Sequence, residues 1–305
     1  MDQATGLRSL VEDQMAKDKP DRAVPEGGPE TAGSRRRIRV ISVTSGKGGV
    51  GKTSVVANLA LALSRMDIRV LVLDADLGLA NLDVMLGLNP RYTIDHLLRG
   101  DKTLDEILIS GPGGFKILPA ASGIPELTEL DNTQRLLLLD ELDALRDRFD
   151  VLLIDTGAGI SSNVMYFNYA AMEKVVLVTN EPTSLTDAYA LIKVLTSRYK
   201  QKRFKVLVNA ARNGEEAEKI YRHLSLVVDQ FLGSPSLDYV GWIPFDKLMP
   251  AAVRKQKTVL ECFPEAPASL HIQKVARALM AAREEPDLEG DIRFFRQSFL
   301  EHRPG

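Results

Sequence analysis

Residues 46–53 constrain the fold more than any other part of the chain. They read GKGGVGKT and fit the pattern G-x-x-x-x-G-K-[ST]. The apolar run RVISV lies just before them, and TSVVANLALALS, which has the composition of a buried helix, continues from Thr53. Because glycine has no Cβ, the backbone can turn tightly between these two segments. The pattern therefore predicts a strand, a glycine-rich loop and a helix in succession.

This loop, called the phosphate loop below, has the residue types that bind nucleotide phosphates. Its backbone N–H groups are expected to surround phosphate oxygens, and the N-terminus of the following helix adds partial positive charge. Lys52 is expected to contact the β- and γ-phosphates, and the Thr53 hydroxyl is expected to bind Mg²⁺. The predicted nucleotide-binding residues of this region are Gly46, Lys47, Gly48, Gly49, Val50, Gly51, Lys52, Thr53 and Ser54.

From residue 38 onward the chain alternates between short apolar runs and longer amphipathic stretches. The predicted strands are residues 38–44, 70–74, 116–119, 151–155, 175–179, 206–209 and 239–243, and the predicted helices are 52–65, 132–148, 185–200, 217–232 and 269–283. Several strands are near-continuous runs of Val, Ile and Leu, which is typical of strands covered on both faces. The predicted fold class is therefore α/β, a doubly wound and mostly parallel sheet flanked by helices.

Composition divides the chain into four parts. Residues 1–15 carry apolar residues at helical spacing and predict a short amphipathic helix. Residues 16–37 are rich in Pro, Gly and charged residues, which predicts a flexible linker. Residues 38–285 carry the alternating α/β pattern, and residues 286–305 predict a separate terminal helix.

The charge balance and the single cysteine exclude several classes of protein. Among 305 residues, 39 Lys and Arg are balanced by 41 Asp and Glu, which argues against a bulk polyanion binder. Cys262 by itself forms neither an intramolecular disulfide nor a CxxC pair, which is typical of a cytosolic protein. The N-terminal residues lack the apolar core of a signal peptide, and no window reaches about 18 uncharged apolar residues. We therefore expect a soluble cytoplasmic protein.

Two aspartates at strand ends are expected to complete the site. Asp155 ends the run VLLID at the carboxyl edge of the predicted sheet, where open α/β sheets bind ligands. It is expected to hold Mg²⁺, and the Gly157 N–H is expected to reach the γ-phosphate. Asp76 ends the run LDAD, and a helix cap or a turn is the structural alternative for both aspartates. Asp74 and Asp83 are predicted to be structural.

The phosphate loop resembles the deviant Walker A motif of the MinD/ParA family of ATPases, and LDADLGLANLD at 73–83 resembles that family's switch I. The resemblance implies that the ligands are ATP and Mg²⁺ and that the activity is hydrolysis of ATP to ADP and phosphate. It implies that Lys47 reaches the nucleotide of a partner subunit and so couples ATP binding to dimerisation; an ordinary solvated lysine is the alternative. The implied catalytic residues are Lys47, Lys52 and Asp76, of which Asp76 orients the attacking water. The implied metal-binding residues are Thr53, Asp76 and Asp155.

Other positions match those at which the family binds adenine or a protein partner. Asn209 ends the run KVLVN, and Pro244 and Asp246 lie in the sequence IPFD after a later run. The resemblance implies that the Asn209 amide and the backbone of this loop hold the base; a turn or cap is the alternative role of Asn209. Asp187 and Tyr189 match a partner-binding helix of MinD-like proteins, and a solvated helix face is their alternative.

The N-terminus resembles one branch of the family, the flagellar-number regulators of the FlhG type. Residues 2–8, DQATGLR, resemble the DQAxxLR motif with which that branch stimulates the GTPase of its partner FlhF. So short a helix is not stable by itself, and we therefore expect it to be held by the partner. The residues expected to bind the partner are Gln3, Leu7 and Arg8. A tail without a function is the alternative.

At the other end of the chain, four apolar residues share one face of the predicted terminal helix. They are Leu288, Ile292, Phe295 and Phe299, and the pattern suits a helix that lies in a membrane interface. Burying four such side chains contributes about 6–12 kcal/mol gross, much of which the ordering of the segment offsets. One copy is therefore expected to bind weakly and a dimer more strongly. Docking of this helix on its own domain is the alternative.

The predicted function is that of an ATP-dependent dimerising, membrane-associating ATPase that regulates flagellar number and placement. The expected partners are a second copy with ATP, an FlhF-type GTPase, flagellar basal-body or C-ring proteins, inner-membrane lipids and a flagellar transcription regulator. The expected location is the cytoplasm, with reversible binding to the inner membrane. A ParA-like DNA-binding partition ATPase and a MinD-type regulator of the division site are the alternatives. Direct DNA binding is not expected. The basic residues that would support it, 35–37 and Arg39, adjoin the predicted linker.

Overall fold

The computed structural model describes residues 38–77, 81–120, 130–233 and 235–281. The predicted N-terminal helix, linker and C-terminal helix lie outside these residues. The binding residues expected on the two terminal helices therefore stay predictions, namely Gln3, Leu7, Arg8, Leu288, Ile292, Phe295 and Phe299.

Within the described residues, eight strands form one sheet in the order β3-β4-β2-β5-β1-β6-β7-β8. The strands are β1 (Arg39–Ser45), β2 (Val70–Ala75), β3 (Ile109–Ser110), β4 (Lys116–Leu118), β5 (Val151–Ala158), β6 (Glu173–Val178), β7 (Arg203–Ala211) and β8 (Ser236–Pro244). All neighbouring pairs are parallel except β3 and β4, which are antiparallel at one edge. The predicted doubly wound, mostly parallel α/β fold is confirmed.

Helices cover both faces of the sheet. They are α1 (Lys52–Ser64), α2 (Leu82–Met85), α3 (Ile94–Leu98), α4 (Leu104–Ile107), α5 (Asn132–Ala144), α6 (Ser162–Ala170), α7 (Pro182–Tyr199), α8 (Gly214–Leu232), α9 (Leu248–Arg254), α10 (Val259–Cys262) and α11 (Pro267–Ala281), with a 3₁₀ turn at Pro112–Gly114. Helices α1 and α11 pack with Ile41 and Val43 of β1, whereas α5 and α6 pack on the opposite face with Val40. Because side chains alternate along a strand, the central strands β1, β2 and β5 contribute to two cores and contain continuous apolar runs.

The order of the strands brings distant chain segments to one edge. Strand β1 lies between β5 and β6, and all seven of its residues are buried. The phosphate loop leaves the carboxyl end of β1, and Asp155 lies near the carboxyl end of β5. Strand β2 pairs with the other side of β5, with Asp74 opposite Asp155 in the register. The phosphate loop and these aspartates therefore lie at the edge where parallel sheets bind ligands.

Strands β6, β7 and β8 begin earlier than the sequence predicts, and charged residues at the amino ends of β6 and β7 are paired. Strand β6 begins at Glu173 and β7 at Arg203, ahead of their apolar runs. Arg39 of β1 forms an ion pair with Glu173, and the two side chains are 10% and 9% exposed. Lys205 of β7 lies 3.5 Å from the same carboxylate. Pairing allows these charges to be buried at a strand end, which apolarity by itself does not reveal.

The predicted helices are present, but their ends differ. Helix α5 ends at Ala144 and not at residue 148, and α7 begins at Pro182 and not at residue 185. Proline suits the first helical position because its missing N–H would have no partner there. Segments as short as α2, α3 and α4 carry too little periodicity to be predicted from sequence.

Candidate nucleotide-binding site

The phosphate loop connects β1 to α1 at the carboxyl edge of the sheet. Gly51 is the N-cap of α1 and has φ 90° and ψ 22°, a left-handed conformation that favours glycine. None of the described side chains caps the first turn of α1. The free N–H groups of this turn and its partial positive charge suit a phosphate.

Gly46 is required by the close approach of α7. A Cβ built on Gly46 would lie 2.1 Å from both the carbonyl carbon and the carbonyl oxygen of Asp187. Backbone atoms in the middle of a helix cannot move aside as the end of a long side chain can, so only glycine lets the loop pack there. Asp187, for which the family resemblance implies a partner surface and a solvated helix face is the alternative, therefore supports the phosphate loop with its backbone.

Lys52 is a buried lysine at the start of α1, with 9% of the residue exposed. Burial lowers the pKa of its ammonium group, and the carboxyl groups of Asp155 and Asp76 act in the opposite direction. The three side chains therefore form one cluster of charges beside the phosphate loop.

Asp155 is 1% exposed, and its buried carboxylate suits a cation. Burial raises the pKa of Asp155 to about 7, against the opposing effects of the Thr53 hydroxyl and the Lys52 ammonium. Neither carboxylate oxygen makes a hydrogen bond of normal geometry to any described residue. Leaving such a buried group unsatisfied costs about 1–3 kcal/mol or more. A carboxylate next to a hydroxyl is a hard oxygen donor set, so these residues fit Mg²⁺.

Asp76 follows β2 and is half-buried beside the same cluster. Burial raises its pKa, and the charge of Lys52 lowers it. A Cβ built on Gly157 would lie 3.4 Å from Asp76 Oδ1, so the carboxyl group reaches the segment that follows Asp155. Burial also raises the pKa of Asp74, with the charge of Asp155 adding to the effect. The predicted catalytic and metal-binding carboxyl groups therefore converge at one edge of the sheet.

Lys47 is directed elsewhere. Its ammonium group forms an ion pair with Glu181 and donates a hydrogen bond to Thr183 Oγ1 at 3.0 Å, both at the start of α7. The Lys47 side chain is 37% exposed. Its backbone is held separately, because the Ser45 hydroxyl donates to the Lys47 carbonyl oxygen at 2.7 Å. The charge of Lys47 therefore lies at the rim of the site.

The residues expected to hold adenine have structural partners of their own. Asn209, near the end of β7, donates through Nδ2 to the Val50 carbonyl oxygen at 2.8 Å, so part of its amide supports the phosphate loop. The Asp246 carboxylate accepts the N–H groups of Leu248 at 2.9 Å and Ala268 at 3.2 Å. These bonds engage the Asp246 side chain, and the loop backbone is engaged as well, since the Phe245 N–H donates to the Ala211 carbonyl oxygen at 2.8 Å and the Asp246 carbonyl oxygen accepts the Met249 N–H at 3.1 Å.

Two large apolar side chains are exposed at the same edge of the sheet. Phe245, directly after Pro244 at the end of β8, is 66% exposed, and Ile160, in the loop after β5, is 54% exposed. Single exposed apolar residues are common on protein surfaces. Their position at the ligand-binding edge nevertheless makes them available to whatever closes over that edge.

No sequence signal identifies three polar residues that support the site. Glu181 and Thr183 bind Lys47, and Asn168 of α6 is fully buried against β1. Asn168 accepts a hydrogen bond from the Ser42 hydroxyl at 2.9 Å and donates to Thr44 Oγ1 at 3.0 Å. The partners of Thr183 and Asn168 lie 136 and 124 positions away in the sequence, so local patterns cannot reveal them.

A parallel sheet whose central strand leads into this loop, with a buried carboxylate on the neighbouring strand, defines a P-loop nucleoside-triphosphate hydrolase. Residues 38–207 match the AAA_31 family, described as an AAA domain. The antiactivator FleN of Pseudomonas aeruginosa is 44% identical over 270 residues, which cover 88% of this chain and 96% of FleN. The flagellum site-determining protein YlxH of Helicobacter pylori is 34% identical over 256 residues, which cover 84% of this chain and 86% of YlxH.

Solved structures agree with these relatives. The septum site-determining protein MinD of Pyrococcus horikoshii, in complex with Mg-ADP, superposes with a TM-score of 0.67 at 26% identity, covering 80% of this chain and 96% of that one. A chain of the MinC:MinD cell division complex of Aquifex aeolicus gives a TM-score of 0.64 at 30% identity, covering 81% and 98%. This chain belongs to the MinD/ParA family of P-loop ATPases, in the group that contains FleN and YlxH. It is an ATPase, and its family binds nucleotide with Mg²⁺.

Proposed function

We propose that this ATPase pairs two copies of itself around two Mg·ATP, binds the inner membrane reversibly in that state, and regulates the number and placement of flagella. One observation supports the pairing above all. The charge of Lys47 lies at the rim of the site on Glu181 and Thr183, while Lys52 is buried with the carboxyl groups. A lysine at the rim is available to phosphates that approach from a second copy.

Pairing would exchange one anionic partner of Lys47 for another. The Glu181 side chain is 60% exposed, so its ion pair with Lys47 contributes at most about 1 kcal/mol. The phosphates of ATP carry several negative charges, and a closed interface excludes water, which strengthens the attraction to Lys47. The exposed side chains of Phe245 and Ile160 would add apolar area at the same edge.

Hydrolysis in this proposal is an in-line attack of water on the γ-phosphate. Lys52 neutralises charge on the β- and γ-phosphates, and Lys47 of the second copy adds to this effect. Asp76 accepts a hydrogen bond from the attacking water and orients it. Thr53 and Asp155 would hold Mg²⁺, and the ion when bound would neutralise phosphate charge further.

The flagellar part of the proposal rests on the relatives and on the N-terminal sequence. FleN is called an antiactivator and YlxH a flagellum site-determining protein. The MinC:MinD complex supports binding of protein partners in this family. We therefore assign residues 1–15, with Gln3, Leu7 and Arg8, to an FlhF-type GTPase. Basal-body or C-ring proteins and a flagellar transcription regulator are the further partners.

The membrane part of the proposal rests on the C-terminal sequence. No helix in the described part of the chain is long and apolar enough to cross a bilayer. The apolar face that includes Leu288 and Phe295 is assigned to the membrane interface. Two such helices on a dimer bind far more strongly than one, because the second binds at a high effective concentration. The protein would therefore be cytoplasmic and would join the inner membrane when ATP is bound.

Light scattering tests the pairing. The wild type is expected to be a dimer with ATP and a monomer with ADP, and Lys47→Ala a monomer with both. Asp76→Ala is expected to keep the ATP-dependent dimer and to hydrolyse ATP slowly. Lys219→Ala, an exposed lysine on α8, is the control and should dimerise as the wild type does. A normal dimer of Lys47→Ala would exclude the proposed role of Lys47.

Co-sedimentation and a GTPase assay test the partners. With ATP, the wild type is expected to pellet with anionic liposomes, and a variant that lacks residues 287–305 is expected to stay in solution. DNA binding with a steep dependence on salt would instead favour the ParA-like alternative. A peptide of residues 1–15 is expected to stimulate an FlhF-type GTPase, and the same peptide with Arg8→Ala to do so weakly. No stimulation by either peptide contradicts the assignment of the N-terminus.

A further inference from the structure

Asp74, at the end of β2, is a carboxylate with 1% of the residue exposed. Its Oδ1 accepts the N–H of Asp76 at 3.2 Å. Its Oδ2 accepts the N–H groups of Asn81 and Leu82, each at 3.3 Å. One side chain therefore holds the residue just after β2 and the residues at the start of α2.

The start of α2 depends on this carboxylate. Asn81 is the N-cap residue, but its side chain makes no capping hydrogen bond within the described structure. A helix of four residues is too short to be stable by itself. Leu82, its first residue, is fully buried in the core beside α1. Asp74 supplies the missing cap and ties the buried start of α2 to the end of β2.

The same carboxylate restricts Asp76. Asp74 Oδ1 accepts a hydrogen bond from the backbone N–H of Asp76. The carboxyl group of Asp76 itself lies beside the segment around Gly157, because a Cβ built on that glycine would be 3.4 Å from Asp76 Oδ1. A fixed backbone N–H limits the directions that the attached side chain can take. The position of the Asp76 carboxyl group therefore depends on Asp74.

Only a carboxylate meets both demands at this position. It offers two acceptor oxygens, whereas an asparagine offers one oxygen and an NH₂ donor. In Asp74→Asn, the NH₂ group would face a backbone N–H at one of the two ends, and that hydrogen bond would be lost. The volume of the side chain would hardly change, so the substitution isolates the hydrogen bonds from the packing.

We infer that Asp74 is a positioning residue for ATP hydrolysis, which holds the N–H groups of Asp76, Asn81 and Leu82 and thereby keeps the Asp76 carboxyl group at the nucleotide edge. It does so without contact to the nucleotide or the metal. The inference rests on the proposed role of Asp76 in orienting water. Displacement of a catalytic group by about 1 Å can lower a rate by about 100-fold. Loosening Asp74 is therefore expected to lower kcat and to spare nucleotide affinity.

The test compares Asp74→Asn with Asp83→Asn, a control that makes the same change of charge in α2. The Asp83 side chain accepts a hydrogen bond from the neighbouring Val84 N–H at 2.7 Å. Hydrogen exchange of the amides of Asp76, Asn81 and Leu82 is measured, together with kcat, KM, fluorescent Mg·ADP binding and the Mg²⁺ concentration for half-maximal binding. Asp74→Asn is expected to speed exchange at these amides about tenfold and to lower kcat about 10–100-fold. KM, ADP affinity and Mg²⁺ dependence are expected to change by less than about threefold, and Asp83→Asn to match the wild type.

Faster exchange with a wild-type kcat would show that Asp74 is merely structural and would overturn the inference. Lower kcat with unchanged exchange, or a shift of about tenfold in Mg²⁺ dependence, would overturn it too, because Asp74 would then act on the nucleotide or the ion directly. If Asp74→Asn does not fold, Asp74→Glu decides in the same way, since it keeps both oxygens and moves them by one methylene. Wild-type hydrolysis by Asp76→Asn would contradict the proposed role of Asp76 separately, whatever the Asp74 variants do.

Discussion

Lys47 and Glu181 form an ion pair that connects the phosphate loop to the start of α7. The Thr183 hydroxyl oxygen accepts a second bond from the same ammonium group at 3.0 Å. One residue earlier in the loop, Gly46 packs against the backbone of Asp187 in the same helix. Helix α7 therefore contacts two consecutive residues of the phosphate loop, one through charge and one through close packing. A change at either partner is expected to affect the other.

Glu181→Gln is expected to favour the dimer. Glu181 competes with the phosphates of a second copy for Lys47, and removing its charge weakens that competition by about 0.4–1 kcal/mol. The ATP concentration for half-maximal dimerisation should fall by about twofold to fivefold. Light scattering during an ATP titration measures it, in an Asp76→Ala background that conserves the ATP. Glu218→Gln removes a carboxylate on α8 that is 52% exposed, close to the 60% of Glu181, and should leave the midpoint unchanged. A midpoint for Glu181→Gln equal to or above that of the wild type contradicts the competition.

Gly46→Ala is expected to destabilise the nucleotide-free protein. Its Cβ would overlap the Asp187 backbone, and relieving the overlap requires a shift of the loop or of α7. The free energy of unfolding should fall by about 1–3 kcal/mol, measured by urea denaturation without nucleotide. Gly48→Ala is the matched control, because a Cβ on Gly48 meets no described atom within 4 Å. Equal losses in both variants would contradict the close approach of α7.

Asp155→Asn is expected to stabilise the protein without nucleotide and to abolish most of its activity. The substitution removes a buried carboxylate whose oxygens make no hydrogen bond of normal geometry to a described residue, which should raise the free energy of unfolding by about 1–3 kcal/mol in EDTA. The rate of ATP hydrolysis should fall by about 100-fold or more, and Mg·ADP should no longer raise Tm as in the wild type. Asp140→Asn, an exposed position on α5, controls for the loss of one charge. A destabilised Asp155→Asn variant would show that the carboxylate has a partner in solution.

Lys174→Met is expected to alter the dependence of stability on pH. Lys174 is 5% exposed, and burial lowers its pKa to about 8, against the raising effect of Glu173. Below pH 8 the lysine is charged in both the folded and unfolded states, so the cost of burying the charge is present in full. Between that pH and the ordinary value of 10.5, the folded protein loses the proton first, and the cost is relieved as the pH rises.

The variant should therefore be more stable than the wild type by about 1–3 kcal/mol at neutral pH, and the difference should shrink towards pH ~10. Urea denaturation across this range measures the difference. Lys202→Met, which replaces an exposed lysine nearby in the sequence, should show no such trend. A constant difference for Lys174→Met would mean that lost packing or the lost bond to Gln201, and not titration, causes the effect.

Much of the fold could be predicted because its signals are local. The phosphate loop, its strand and its helix are contiguous, and the motif defines the three together. The strands that later bury both faces already read as apolar runs. The paired charges of Arg39 and Glu173 could not be predicted, because the two residues lie on different strands and each looks like a surface residue in its own segment.

Some residues of the candidate site could be predicted from the sequence, and others could not. Lys52, Thr53 and Asp155 follow from motifs in which the residue type and its place after a strand suffice. Glu181 does not, because its interaction with Lys47 depends on where α7 lies relative to the loop. The role of Asp74 follows only from three N–H groups that the folded backbone presents to it.

The sequence by itself determined the class of this protein, since glycines, a lysine and strand-end aspartates at their spacings are the chemistry that a nucleotide and Mg²⁺ require. The tertiary structure decided how these groups are held. The order of the strands brought Asp74 opposite Asp155, and the packing of α7 on Gly46 placed Glu181 within reach of Lys47. Local patterns encode the preferences of short segments, whereas contacts between residues more than 100 positions apart exist only once the core has fixed the segments in space.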